Sequence, residues 1–133
     1  MTGHPHKVSL QARGREFLVD RPMIMAVINA TPDSFSDAGA YASIDARMER
    51  TREVLEQGAD VLDVGGQSAI TGVPEISEEE EIERISPVIQ WIAANAPQSI
   101  VSVDTYRPKV ARAALQAGAH IINDISGLLY PEV

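Results

Sequence analysis

Gly58-Ala59-Asp60-Val61-Leu62-Asp63-Val64 and Gly118-Ala119-His120-Ile121-Ile122-Asn123-Asp124 are two copies of one pattern. Each opens on a glycine suited to stopping a helix in the left-handed conformation that other residues avoid. Each then runs directly into a short apolar strand with a polar residue at its third position. The spacing between the copies covers two strand–helix units. A repeating β-α pattern of this kind argues for a parallel sheet flanked by helices.

Upstream of the first copy, residues 43–57 read as a helix. Ser43 or Asp45 is the expected cap, Ile44, Met48, Thr51 and Leu55 recur at helical spacing, and Gly58 ends it. Before that helix, residues 23–28 form a continuous apolar run without alternation, the pattern of a buried strand covered on both faces. The run delivers Asn29, and the chain then changes to Thr31-Pro32-Asp33-Ser34-Phe35-Ser36-Asp37, too rich in turn formers to continue a strand. Residues 8–19 read as two short strands about Arg13-Gly14, a small hairpin.

Between the copies, Ser77-Glu78-Glu79-Glu80 has the form of a capping box, with acidic residues at the positive end of a helix dipole. Its charge run is therefore a helix start and not a metal site. Ile82, Ile85, Val88, Ile89 and Ile92 make the apolar stripe; Pro87 is a potential kink, and Trp91 beside the stripe reads as packing. Ile100-Val101-Ser102-Val103 is a third strand, delivering Asp104. Pro108 suits the first turn of the next helix, with Val110, Ala111, Ala114 and Leu115 inward and Gly118 as its stop. Ile121-Ile122 is the fourth strand.

A chain of 133 residues is one domain's worth, and 44% hydrophobic residues supply a core. The formal net charge of −8 argues against a nucleic acid or an anionic membrane as partner. The absence of Cys excludes disulfides, thiolate metal sites and a Cys nucleophile. Residues 1–7 carry no apolar leader core and no later run approaches a membrane span, so a cytoplasmic protein is expected. His4 and His6 have no further ligand nearby and read as bystanders.

The polar residues of interest share one place, the C-terminal end of a strand. Asn29 ends the first, Gly65-Gly66 follow the second, Asp104 ends the third and Asn123 the fourth. Any one alone reads equally as a strand-end cap or turn residue. In parallel α/β folds the ligand site lies on that face. Asn offers a donor and an acceptor side by side and ionised Asp offers only acceptors, a rim suited to a flat neutral heterocycle. Arg107 is the nearest cation, and no Ser-His-Asp set or metal-ligand cluster is present.

Four ordered segments then carry a resemblance. Ile28-Asn29-Ala30-Thr31-Pro32-Asp33-Ser34-Phe35-Ser36-Asp37, Gly58 through Ser68, Ser102-Val103-Asp104-Thr105-Tyr106-Arg107-Pro108 and Ile122-Asn123-Asp124-Ile125-Ser126-Gly127 together resemble dihydropteroate synthase. The resemblance spans roughly residues 8–130. It implies α/β architecture, the N-terminal (β/α)4 half of a TIM (β/α)8 barrel preceded by a short β-hairpin, with residues 1–133 a partial pterin-binding domain. It also implies condensation of (7,8-dihydropterin-6-yl)methyl diphosphate with 4-aminobenzoate to give dihydropteroate and diphosphate. Asn29 would bind the Mg²⁺ that accompanies the diphosphate. Asp104, Asn123 and Ser68 would contact substrate, and Asp33 and Phe35 would belong to a mobile catalytic loop.

Two departures from the family pattern stand out. The second loop reads Gly65-Gly66-Gln67-Ser68-Ala69-Ile70-Thr71-Gly72 where the family has Gly-Gly-Glu-Ser-Thr-Arg-Pro-Gly, which leaves 4-aminobenzoate open as the second partner. A full barrel needs roughly 250 residues. By the resemblance, the catalytic Lys, an Arg, a His, a further pterin-binding Asp and the homodimer surface belong to the second half. The expectation is therefore a fragment whose activity requires that half. A pterin-binding paralogue without condensing activity is the alternative. A folate-dependent methyltransferase domain is a third reading, which the loop at residues 31–37 opposes.

Overall fold

The computed structural model describes residues 8–31, 40–67 and 74–133. The elements run β1 (Val8–Ala12), β2 (Arg15–Val19), β3 (Met25–Asn29), α1 (Ala40–Glu56), β4 (Val61–Gly65), α2 (Glu78–Asn95), β5 (Ile100–Asp104), α3 (Pro108–Ala117) and β6 (Ile121–Asn123). β1 and β2 pair antiparallel as the expected hairpin, and β3-β4-β5-β6 form a parallel sheet in sequence order. Arg13 and Gly14 both take positive φ, 51° and 70°, as a tight two-residue hairpin turn demands. Gly58 and Gly118 stand at φ 96° and 126°, so both copies of the repeat do begin on left-handed helix stops.

The sheet's two faces are chemically distinct. Ile28, Leu62, Val64, Val101 and Val103 point to the helices and join Val54, Ile85, Val88, Ile89, Ile92, Val110 and Ala114 in one core. The alternate residues form the inner face: Met25, Val27 and Asn29, then Val61, Asp63 and Gly65, then Ile100, Ser102 and Asp104, then Ile121 and Asn123. Expected and observed differ first at β3. The uninterrupted apolar run predicts cover on both faces, yet Met25 and Val27 remain 52% and 62% exposed, because four strands leave the inner face open at this edge.

Two helices also depart from expectation. α1 begins at Ala40, ahead of Ser43 and Asp45, the two expected cap positions. Its buried positions are Arg47, Thr51 and Val54, while Met48 and Leu55 are half-buried. The Thr51 hydroxyl donates to the Arg47 carbonyl at 2.7 Å, which lets a polar residue occupy the buried face. In α3, Leu115 is 39% exposed, leaving Val110, Ala111 and Ala114 as the inward set. Ser77 does cap α2, its Oγ accepting from the Glu80 N–H at 3.1 Å. Glu80 does not complete the box, because its carboxylate binds Arg84 at 2.5 Å instead.

The hairpin closes the N-terminal end of the sheet. Neither α2 nor α3 has a basic residue in its last turn. Arg13 donates to the Leu115 carbonyl at 2.6 Å and Arg15 to the Pro97 carbonyl, so the hairpin brings cations to both helix C-termini. Phe17 adds an edge-on ring contact to His120 at 5.5 Å.

Candidate functional site

The register sets Asn29, Gly65, Asp104 and Asn123 in one row across the C-terminal end of the sheet. Beneath it runs a second row of Val27, Asp63, Ser102 and Ile121. Three of the expected site residues are thus brought together. Asp33, Phe35 and Ser68 lie outside the described residues, as do His4, His6 and the divergent positions 69–71.

The two glycines after β4 serve different ends. Gly65 puts no side chain between Asn29 and Asp104, so the flanking strands are separated by about 9–10 Å of open floor. A Cβ on Gly66 would lie 2.9 Å from Ile85 Cγ2 and 3.1 Å from the Glu81 carbonyl oxygen, so this position must be glycine for the strand end to lie against α2. Arg84 fastens it there by donating to the Gly66 carbonyl at 3.0 Å.

Asp63 is the residue that sequence reasoning missed. It is buried, and it accepts from Asn123 Nδ2 at 3.3 and 3.5 Å. The repeat held the signal, since Asp63 and Asn123 occupy the same strand position in the two copies, one donor-bearing and the other acceptor-only. Asp104 has its carboxyl pushed above the usual carboxylate range, by burial first and by the charge of Asp63 second. Ser102, in register with Asp63, has a buried Oγ with no hydrogen-bond partner among the described residues. An unsatisfied hydroxyl costs about 1–3 kcal/mol, a cost more typical of a binding surface than of a packing layer.

A cavity of about 170 Å³ opens beside Asp104, lined also by Gln67, Glu75, Glu81, Tyr106 and Ile125. It falls short of the roughly 300 Å³ at which small-molecule sites begin, as part of a larger pocket would. Arg107, the nearest cation in the sequence, is turned elsewhere. It donates to the Ile76 carbonyl at 2.8 Å and to Glu81 at 3.0 Å, pinning the segment before α2 to the start of α3. Burial raises the Glu81 carboxyl, an effect that Arg107 opposes. The inner rim is consequently neutral to acidic and suited to a ligand edge rich in N–H groups.

The donor set bears on the expected metal. No group of three or more His, Cys, Asp or Glu that could hold an ion occurs among the described residues. Asn29, an exposed residue at the row's outer end, has one amide oxygen to offer. Mg²⁺ keeps several waters and takes much of its shell from substrate phosphates, so one neutral oxygen fits an ion that arrives with a diphosphate, not a resident one. No helix among the described residues is long and apolar enough to cross a membrane.

Residues 25–133 match the family model described as pterin binding enzyme. The chain is 46% identical over 114 residues to the dihydropteroate synthase of Clostridium beijerinckii, covering 85% of this chain and 42% of that protein. It is 40% identical over 124 residues to that of Escherichia coli K12, covering 93% and 44%. Among solved structures, dihydropteroate synthase of Xanthomonas albilineans with 4-aminobenzoic acid superposes with a TM-score of 0.84 at 42% identity, covering 94% of this chain and 45% of that one. The same enzyme in complex with 7,8-dihydropteroate gives a TM-score of 0.76 at 40% identity, covering 93% and 44%. The chain spans less than half the length of each of these relatives.

Proposed function

The chain belongs to the pterin-binding enzymes, of the dihydropteroate synthase type, and from that premise we propose that it supplies the pterin-binding side of a folate-pathway transferase. The reaction is the condensation of (7,8-dihydropterin-6-yl)methyl diphosphate with 4-aminobenzoate. A C–N bond forms at the pterin methylene, the C–O bond to diphosphate breaks, and the aniline nitrogen loses a proton. The observation that carries this reading is the placement of Asp104 and Asn123 side by side at the end of the sheet, with Asp63 behind them and an open floor at Gly65.

Each residue has a part in that reading. Asp104 and Asn123 accept hydrogen bonds from the heterocycle and fix its orientation, and proximity of this kind lowers the barrier by removing freedom before reaction. Asn29 is assigned to the diphosphate end of the ligand by its position in the first family motif. Mg²⁺ bound with that diphosphate would neutralise charge on the leaving group. Asp33 and Phe35 in the first loop and Ser68 in the second are assigned to closing the site and keeping water from it. This assignment rests on their positions in the family motifs.

A second reading follows from Ala69-Ile70-Thr71, which replace a hydroxyl, a guanidinium and a proline of the family pattern. It is pterin binding without condensation. A barrel completed by joining this chain to the C-terminal part of a synthase relative separates the two. The completed barrel is expected to bind 6-hydroxymethylpterin in calorimetry, whereas the 133-residue chain alone gives no turnover. Restoring Thr-Arg-Pro at 69–71 and gaining condensation would favour the second reading for the natural loop. No pterin binding by the completed barrel would refute both.

A further inference from the structure

We infer that Asp63 is a positioning residue whose carboxylate takes the amide donor of Asn123, so that Asn123 presents its carbonyl oxygen to the ligand. The inference rests on the pterin-binding reading and extends it to a residue in the row beneath the rim. The two strands concerned, β4 and β6, are not neighbours, since β5 lies between them. The contact therefore reaches across the inner face beneath Asp104 and is not an ordinary pair of adjacent strands.

The chemistry fixes the orientation. A carboxylate only accepts, so the atom of Asn123 that faces Asp63 must be Nδ2, as the 3.3 and 3.5 Å contacts have it. Oδ1 is left as the outward atom, and the register partner of Asn123 is Asp104, also an acceptor. Two adjacent acceptors select a ring edge that carries N–H groups, such as the amino and ring N–H donors of an aminopyrimidinone. Without Asp63, the amide could turn over and offer a donor to that edge.

Packing alone does not account for this side chain. Asp63 is only 6% exposed and has no ion pair among the described residues. A buried carboxylate held by two long hydrogen bonds from a neutral amide weakens a fold relative to an apolar residue of similar size. Its neighbours on β4, Val61 and Val64, show what the strand accepts when packing alone decides.

Asp63→Val and Asp63→Asn test the inference in two settings. In the intact 133-residue chain, nitrogen-15 NMR follows the Asn123 side-chain amide. Its two proton resonances are expected to lose their separation in Asp63→Val. In the completed barrel, calorimetry with 6-hydroxymethylpterin should show affinity reduced about tenfold in Asp63→Val and less in Asp63→Asn, which retains one acceptor oxygen. Melting temperature should hold or rise in both. Unchanged affinity, or a fall in melting temperature with the Asn123 amide unmoved, would overturn the positioning role while leaving the pterin reading intact. If the barrel with Asp63 in place fails to bind the pterin, the parent reading falls and this one with it.

Discussion

At Asp104, burial and the charge of Asp63 act in the same direction and favour the protonated acid. The folded state then holds its proton to higher pH than the unfolded chain does. Stability from this group is complete below the unfolded value of about 3.9 and is lost as pH rises through the folded value. Asp104→Asn has no such loss. Urea unfolding should find the variant gaining on the natural chain as pH is raised from about 4 to 7; parallel curves would show that Asp104 ionises freely. The same carboxylate is expected to be indispensable to the ligand, so Asp104→Ala in the completed barrel should lose pterin binding in calorimetry. With both outcomes, stability and binding would oppose each other at this residue, as is common where a site needs a buried charge. The sequence made Asp104 visible because it breaks an apolar run at a strand end. Asp63 was hidden because it sits inside such a run, and its partner 60 positions away is set by register, which the sequence does not state.

The repeat that decided the fold also holds its elements together. Asp60 and His120 hold the same position in the two copies, and each clamps the start of a neighbouring strand. The Asp60 N–H donates to the Ile24 carbonyl while its carboxylate accepts from the Ile24 N–H at 2.8 Å. The His120 N–H donates to the Val101 carbonyl while Nδ1 accepts from the Val101 N–H at 3.1 Å. The two side chains differ in how acid affects them. Burial pushes the His120 imidazole below its usual range, and Arg15 and Arg13 add to this. The unfolded chain therefore takes up a proton near pH 6.5 before the folded one does, and stability falls as pH drops from there toward the lower folded value. His120→Asp copies the Asp60 clamp and places a carboxylate near both arginines. Thermal melts between pH 5 and 7 should show the step near 6.5 removed; a variant with the same step would assign it elsewhere. Helix stops and strand order were legible from glycines and apolar runs. The buried face of α1 was not, because Arg47 and Thr51 occupy positions that hydrophobic periodicity reserves for apolar residues.

Across the whole molecule, a parallel sheet of four strands ends at β3 and β6, each hydrogen-bonded to one neighbour. A closed barrel has no such edges, whereas an open one presents unpaired backbone groups that invite another chain. At β3 the hazard is compounded, because Ile24, Met25 and Val27 are exposed around the edge and its inner face. The open edges follow from a half-barrel of four strands, but the exposure of these side chains does not, because in the sequence they look like any doubly covered strand. Opposing it is the net charge of −8, which holds copies apart at low ionic strength and is screened as salt rises. The balance predicts a monomer in dilute buffer and larger species as salt or protein concentration increases, measured by sedimentation velocity. Val27→Lys places a cation in the middle of the apolar inner face at the edge strand. Because Val27 is already open to solvent, the change should leave the melting temperature within about 0.5 kcal/mol of equivalent stability. The variant should stay monomeric under the salt conditions that assemble the natural chain. Equal association of both proteins would mean that copies meet elsewhere, and the exposed Ile125, Leu128, Leu129 and Tyr130 beyond β6 would then be the surface to alter.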